Sequence, residues 1–285
     1  MTVTIRDLSK RCGLSVSTVS KALNGYADIS AATRERVTAA ARELGYFPNA
    51  HARALKTKRS YNLGVLFVDD SQSGLTHSYF AAVLESFKKE AENGGYDITF
   101  ISHNMAGNSM TYLEHCHYRE VDGVCIACIN FDDPEVAQLV ASELPVVTID
   151  HLFNNRSCIQ SNNVEGMRLL VSRARELGHE RIAYAHGPKS SVTDTRLASF
   201  YRAMAAQGLE APEEYVVESE YTNPRSAYEA VTRLLRLPRR PTCVFVSDDC
   251  ASLGALEAAA DLGLRVPEDL SVAGYDGIAM TQLMR

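Results

Sequence analysis

The chain reads as an α/β protein carrying a small helical head at its N-terminus. Three observations predict this. The N-terminal region holds three short helical patterns separated by capping and turn residues. From Leu63 onward, strand-like apolar runs alternate with amphipathic helices. The charge also changes sign along the chain. Residues 1–60 hold 11 Lys or Arg against 4 Asp or Glu, whereas the whole chain has 29 against 35. Alternating strands and helices build parallel sheets covered on both faces. A length of 285 residues, 46% of them apolar, suits two or three domains.

The first helix follows Thr4, a capping residue, with Asp7 three positions on. Gly13 ends it, as a residue with positive φ should. Ser15 caps a second helix whose Val19, Ala22 and Leu23 form one apolar face. Its other face carries Ser17, Thr18, Ser20 and Lys21. Small hydrogen-bonding and cationic groups there give the layout of a helix-turn-helix whose second helix enters a DNA major groove. The basic balance of the head fits phosphate binding. A third helix is predicted from Ser30 to Leu44, stopped by Gly45. Pro48 breaks the chain, and Asn49 can cap a very short helix over Ala50–Leu55. Lys56 to Ser60 form a basic linker. Six residues are marginal as an isolated helix, so that segment needs support to fold.

In the body, strands are predicted at Leu63–Val68, Ile98–Ser102, Gly123–Ile129, Val146–Ile149, Ile182–His186, Cys243–Ser247 and Leu270–Ala273. Helices are predicted at Tyr79–Asn93, Ser109–Tyr118, Pro134–Ser142, Val164–Leu177, Arg196–Gln207, Pro224–Leu235 and Cys250–Leu262. Right-handed crossovers place every loop that follows a strand on one edge. A break near residues 149–163 divides the body into two sheets with a cleft between them. The expected domains are therefore residues 1–48, a hinge and linker at 49–60, and a body at 61–285. The body splits into subdomains at about 61–160 and 161–285.

Other signals are weak. There is no apolar leader at the N-terminus and no run of eighteen apolar residues, which argues against secretion or membrane spanning. The seven cysteines are scattered without a disulfide spacing, and a reduced cytoplasm suits them. Cys125 and Cys128 form a C-x-x-C inside a predicted buried strand, where residues three apart diverge. His115-Cys116-His117 invites a zinc reading, but neighbours two apart on a helix do not share a face, and an exposed helix is expected. No phosphate loop, metal set, cofactor motif or nucleophile elbow is present, so no enzyme activity is expected.

The motif Thr4-Ile5-x-Asp7-Leu8-Ser9, Gly13-Leu14-Ser15-x-x-Thr18-Val19-Ser20-x-x-Leu23-Asn24 resembles the LacI/GalR family of bacterial transcription regulators. Ser30, Thr33, Arg34, Val37, Gly45-Tyr46-x-Pro48-Asn49, Ala52-Arg53-x-Leu55 and Gly64-Val65 extend the likeness. So does Leu262-Gly263-x-x-Val266-Pro267-Glu268-Asp269-Leu270-Ser271-Val272-Ala273-Gly274-Tyr275-Asp276. The resemblance implies a periplasmic-binding-protein-like effector domain behind the head. It implies a homodimeric repressor on a pseudopalindromic operator, with a sugar or glycoside as effector. Val16 and Ser17 take the two positions that read base edges, and Thr4, Ser15, Thr18, Ser20, Lys21 and Asn24 are neighbouring contacts. Asn49, Ala52, Arg53, Leu55 and Lys56 match a hinge helix in the minor groove, with Leu55 as the wedge. Effector contacts are expected from Tyr79, Phe80, Asp150, Asn162, Asn163, Asp194, Arg196, Tyr221, Asp248 and Asp276.

The chain departs from the family pattern in three places. Asp194 falls where an arginine usually precedes the one matched by Arg196, in a loop one residue short. The usual Asn-Asp pair reads Asp248-Asp249. Both changes make the pocket more acidic and favour a neutral glycoside or a cation over a carboxylate-bearing effector. Family members also continue several tens of residues past Arg285, so the resemblance implies a missing final segment, poor solubility and weak dimerisation of the 285-residue form. The competing readings are a free-standing solute-binding protein and an enzyme on an α/β scaffold. The first would need an export signal and no helix-turn-helix, and the second a catalytic constellation.

Overall fold

The computed structural model describes residues 3–47, 59–68, 74–105 and 107–283. They fall into two compact units that divide between Tyr61 and Asn62. The expected hinge residues Asn49, Ala52, Arg53, Leu55 and Lys56 lie outside the described residues.

The head is three helices, α1 (Ile5–Cys12), α2 (Val16–Leu23) and α3 (Ala31–Leu44). Each starts where a side chain satisfies the free N–H groups of its first turn. The Thr4 and Asp7 side chains form a reciprocal capping box, Ser15 accepts from the Thr18 N–H at 3.1 Å, and Ser30 accepts from the Thr33 N–H at 3.2 Å. Gly13 and Gly45 end α1 and α3 in the left-handed conformation. Leu8, Val19, Ala22, Val37, Ala40 and Ala41 are the buried core they share. That spacing along each helix puts one apolar stripe inward and leaves the rest of α2 in solvent.

The first half of the body is a sheet with order β2-β1-β5-β6-β7, every neighbouring pair parallel. Its strands are β1 (Asn62–Phe67), β2 (Asp97–Phe100), β5 (Gly123–Ala127), β6 (Val146–Ile149) and β7 (Ser157–Ile159). A small antiparallel pair, β3 (Asn104–Met105) and β4 (Asn108–Ser109), stands apart. Helix α4 (Ser78–Asn93) covers one face, and α5 (Tyr112–Tyr118) and α6 (Pro134–Ala141) cover the other. Side chains alternate between the faces, as a pleat requires. Val124 and Ile126 pack towards α5 and α6, while Cys125 and Ala127 pack with Phe80, Val83 and Phe87 of α4. Arg156 ties the last strand in place. Its guanidinium donates to the Val140 carbonyl at 2.8 Å, to Leu144 at 3.2 Å and also to Ser142, satisfying the end of α6.

The second half is a sheet with order β11-β10-β8-β9, again all parallel. Its strands are β8 (Ile182–His186), β9 (Val216–Glu218), β10 (Cys243–Val246) and β11 (Ser271–Ala273). Helices α7 (Asn163–Glu176) and α8 (Ser191–Ala206) pack on Ile182, Tyr184, Cys243 and Phe245. Helices α9 (Pro224–Leu235) and α10 (Asp249–Asp261) pack on Ala183, Ala185, Val244 and Val246. The alternating large and small residues set the two layers: rings fill one side, and alanines let helices close in on the other.

All seven expected strands are present, and four expectations are corrected. β7, β9 and the β3–β4 pair were not anticipated. The strand at Gly123 ends at Ala127, because Cys128 turns to φ 51°. Helix α8 begins at Ser191 rather than Arg196, because Ser190 caps it by accepting from the Thr193 N–H at 3.1 Å. The expected exposed helix around His115 is also corrected. His115 and Cys116 are each only 1% exposed, and the His115 ring meets the Ser102 backbone. Burial pushes the Cys116 thiol up to about 12 and Cys125 up to about 11, so neither offers a thiolate. Among the described residues no helix is long and apolar enough to cross a membrane, and no metal-ligating cluster occurs.

Candidate DNA-reading head and ligand cleft

The head turns the outer face of α2 to solvent. Val16, at its first turn, is 41% exposed, and Ser17 is exposed beside it. An apolar tip and a hydroxyl at the start of such a helix can meet a thymine methyl and a base edge. The other expected contacts are partly committed to the fold. Thr4 and Ser15 serve as caps, and Ser15 Oγ also lies 2.8 Å from Thr18 Oγ1. Asn24 closes α2 by donating to the Ser20 carbonyl at 2.7 Å, and Ser20 is half-buried. Lys21 is held by Asp28 at 2.5 Å. Arg34 steadies the turn between α2 and α3 by donating to the Tyr26 carbonyl at 3.2 Å.

In the body, the edge where the strands end gathers most of the expected ligand residues. Asp150 follows β6 in a left-handed conformation, φ 64°, uncommon for a residue with a side chain. Ser191, at the start of α8, crosses from the other half to meet it. Its Oγ donates to the Asp150 carbonyl at 2.9 Å and lies 3.2 Å from His151 Nδ1. His151 in turn stacks on Phe131, ring centres 4.5 Å apart.

Arg196 is the centre of the cleft and is 7% exposed. Its Nε donates to Asn163 Oδ1 at 2.8 Å and its Nη1 to the Ser247 carbonyl at 3.1 Å. The guanidinium carbon lies over the Tyr275 ring, 3.5 Å from its centre. No carboxylate among the described residues lies within ion-pairing distance of it. Yet Asp150, Asp248, Asp249 and Asp276 all sit within its electrostatic neighbourhood or that of Asp276. Burial pushes Asp276 up to about 6; Arg196 opposes the rise, while Asp248, Asp249 and Asp150 add to it. Burial also raises Asp150, against the Ser161 backbone N–H and Arg196. Burial raises the Tyr79 phenol, with Asp150 adding to it, against a hydrogen bond to Ser161.

Two glycines make room for the aromatic walls. A Cβ on Gly166 would stand 2.2 Å from the Tyr275 hydroxyl, and one on Gly187 would stand 2.2 Å from the Tyr221 ring. The Tyr221 hydroxyl lies 2.8 Å from Thr193 Oγ1. Two hollows, of about 380 and 480 Å³, open beside Tyr275 but away from the Arg196 cluster: one lies against Asp249 and Gly274, the other against Gly166 and Arg173, and neither is lined by Arg196, Asp150 or Asp276.

Tyr79, Asp150, Asn163, Arg196, Tyr221, Asp248 and Asp276 are thus brought together. Three expected residues are not. Phe80 packs edge-on to Phe67 within the core, ring centres 5.5 Å apart. Asn162 caps α7, accepting from the Glu165 N–H at 3.2 Å. Asp194 is exposed on the first turn of α8. Tyr275, Asp249, Ser191 and Thr193 were not among the expected contacts, although Tyr275 stood inside a quoted motif and Asp249 belonged to the pair read as making the pocket more acidic.

A basic, capped three-helix head and a two-sheet body with a polar cleft define a DNA-binding regulator with a ligand-receiving domain. Residues 4–49 match the bacterial regulatory proteins of the lacI family, and residues 171–285 match a periplasmic binding protein-like domain. The chain is 34% identical over 283 residues to the HTH-type transcriptional repressor PurR of Escherichia coli O139:H28, covering 96% of this chain and 81% of that protein. The chain belongs to the LacI family of bacterial transcription regulators. Its fold matches the lac repressor dimer bound to operator and the anti-inducer ONPF, with TM-score 0.80, 28% identity, and 98% and 84% of the two chains covered. It also matches the transcriptional regulator CelR in complex with cellobiose, with TM-score 0.68, 27% identity and the same coverage.

Proposed function

We propose that this chain is a cytoplasmic, homodimeric repressor that grips a pseudopalindromic operator. A sugar or glycoside bound between the two sheets sets its operator affinity. The observation that carries the reading is Arg196: a buried guanidinium with no ion pair among the described residues, in the electrostatic neighbourhood of Asp276 and of Asp150, which follows β6 in the other half. A ligand with adjacent acceptors and donors, as vicinal hydroxyls provide, satisfies both kinds of group at once. Tyr79, Tyr221 and Tyr275 supply apolar faces for the ring. The cellobiose complex of CelR supports the same ligand class. The acidic surplus favours a second ligand class, a cationic one, over any carboxylate-bearing compound. In the head, Val16 and Ser17 read bases, with Lys21 on phosphate. We assign no catalytic step to either site.

The test is direct. An operator is selected from random DNA, and binding is followed by fluorescence anisotropy. Affinity should fall about 10³–10⁵-fold between roughly 50 and 200 mM salt, as expected for a dimer neutralising several phosphates. Disaccharides and aryl glycosides should then shift operator affinity. Salt-independent binding defeats the DNA reading, and failure of every sugar beside a positive response to a cationic ligand transfers the cleft to the second class.

A further inference from the structure

Asp248 and Asp249 stand side by side at the start of α10, 3% and 4% exposed. Their carboxylates point to different loops. Asp248 Oδ1 accepts from the Ala251 N–H at 2.8 Å and Oδ2 from the Thr222 N–H at 2.6 Å. Thr222 follows Tyr221 and holds φ 51°, so this bond fixes a turn that would otherwise relax. Asp249 Oδ1 accepts from the Tyr275 N–H at 2.9 Å and Oδ2 from the Ile278 N–H at 2.7 Å. Those two donors bracket Asp276. Gly274 makes the approach possible, since a Cβ there would stand 2.2 Å from Asp249 Oδ1.

We propose that Asp248 and Asp249 are a positioning pair for the effector site, Asp248 fixing Tyr221 and Asp249 fixing Tyr275 and Asp276. The inference rests on the cleft being the effector site. The oxygens of both carboxylates are engaged by backbone donors, as is expected of a group that shapes a site. The arrangement also gives a reason for the acidic pair. The two donors approach different oxygens of the Asp248 carboxylate, so an asparagine there would keep its oxygen on one of them and turn an NH₂ donor towards the other. One short stretch of α10 thereby sets both aromatic walls and the central carboxylate.

Asp276 reports the clamp. Burial raises it, and the charged groups that face it are Arg196, Asp150, Asp248 and Asp249. The substitution Gly274→Ala keeps every one of these charges but forces Asp249 off the loop. The full chain, labelled with ¹³C in its aspartate side chains, is titrated by NMR alongside this variant. In the parent chain Asp276 should titrate near the value of about 6. In Gly274→Ala it should drop by about one unit or more as the loop opens to water. The Tyr275 and Ile278 amides should exchange about tenfold faster while those of Val244 and Val246 stay protected. Asp248→Asn should release the Thr222 amide and leave the Tyr275 and Ile278 amides unchanged. An unmoved Asp276 titration and unchanged Tyr275 and Ile278 exchange in Gly274→Ala would overturn the proposal. A parent chain in which Asp276 already titrates like an exposed carboxylate would instead overturn the cleft geometry on which the effector reading stands.

Discussion

At the residue scale, two charged groups carry the clearest consequences. Asp28 sits beside the outer face of α2 and holds Lys21 at 2.5 Å in an exposed pair. Any phosphate that takes Lys21 must displace Asp28. Asp28→Asn should therefore tighten operator binding by about two- to tenfold at low ionic strength, with the gain fading as salt screens the pair. Anisotropy titrations at two salt concentrations check this, and unchanged affinity at low salt would free Lys21 from any phosphate role. The second group is Asp276, raised from 3.8 to about 6. Its folded value lies above its unfolded one, so its contribution to stability is present below about pH 3.8 and lost as pH rises through about 6. Hydroxyl donors need the ionised form, so effector affinity should run the other way. It should weaken by up to about tenfold per unit as pH falls below 6, measured by calorimetry between pH 5 and 8. A pH-independent affinity would remove Asp276 from the ligand.

At the element scale, helix packing sets the sharpest constraint. Helices α9 and α10 meet so closely that a Cβ on Gly254 would stand 1.8 Å from the Pro224 carbonyl oxygen and 2.7 Å from the Tyr228 nitrogen. Backbone cannot swing aside as a side-chain tip can. Gly254→Ala should destabilise the body by about 1–3 kcal/mol, seen as a lower urea midpoint in tyrosine fluorescence. An unchanged midpoint would mean the two helices slide apart at little cost. Elements of this kind were legible where both faces of a strand are buried or a capping residue precedes an apolar stripe. The short strands β7 and β9 were not. Each has three residues and lies at a sheet edge, and the exposed Ile159 breaks any alternation. The start of α8 was missed for a related reason. Ser190 and Ser191 look like loop residues, and only the Thr193 N–H shows that one of them is a cap.

At the scale of the whole molecule, charge separates a basic N-terminal stretch from an acidic remainder, and the structure divides between Tyr61 and Asn62. The position of the cleft followed from parallel topology, since loops after parallel strands share an edge. Which side chains fill that edge was not readable. Asp248 and Asp249 are adjacent and chemically identical, yet they reach different loops, and only the turn geometry separates them. Arg196 was matched by motif, but its lack of an ion pair among the described residues depends on distances no spacing encodes.

The room left by Gly166 and Gly187 has a consequence for how this protein would look in a mutational screen. Scanning by alanine deletes side chains and infers importance from what is lost. At these two positions alanine is the larger residue, and the damage would come from an added methyl displacing Tyr275 or Tyr221. A deep scan should show both positions intolerant to every residue, alanine included, although neither glycine has a side chain to touch a ligand. Their intolerance should match that of the tyrosines they accommodate. Part of the cleft is thus encoded as vacancy, and it registers only when substitutions are read as gains of volume.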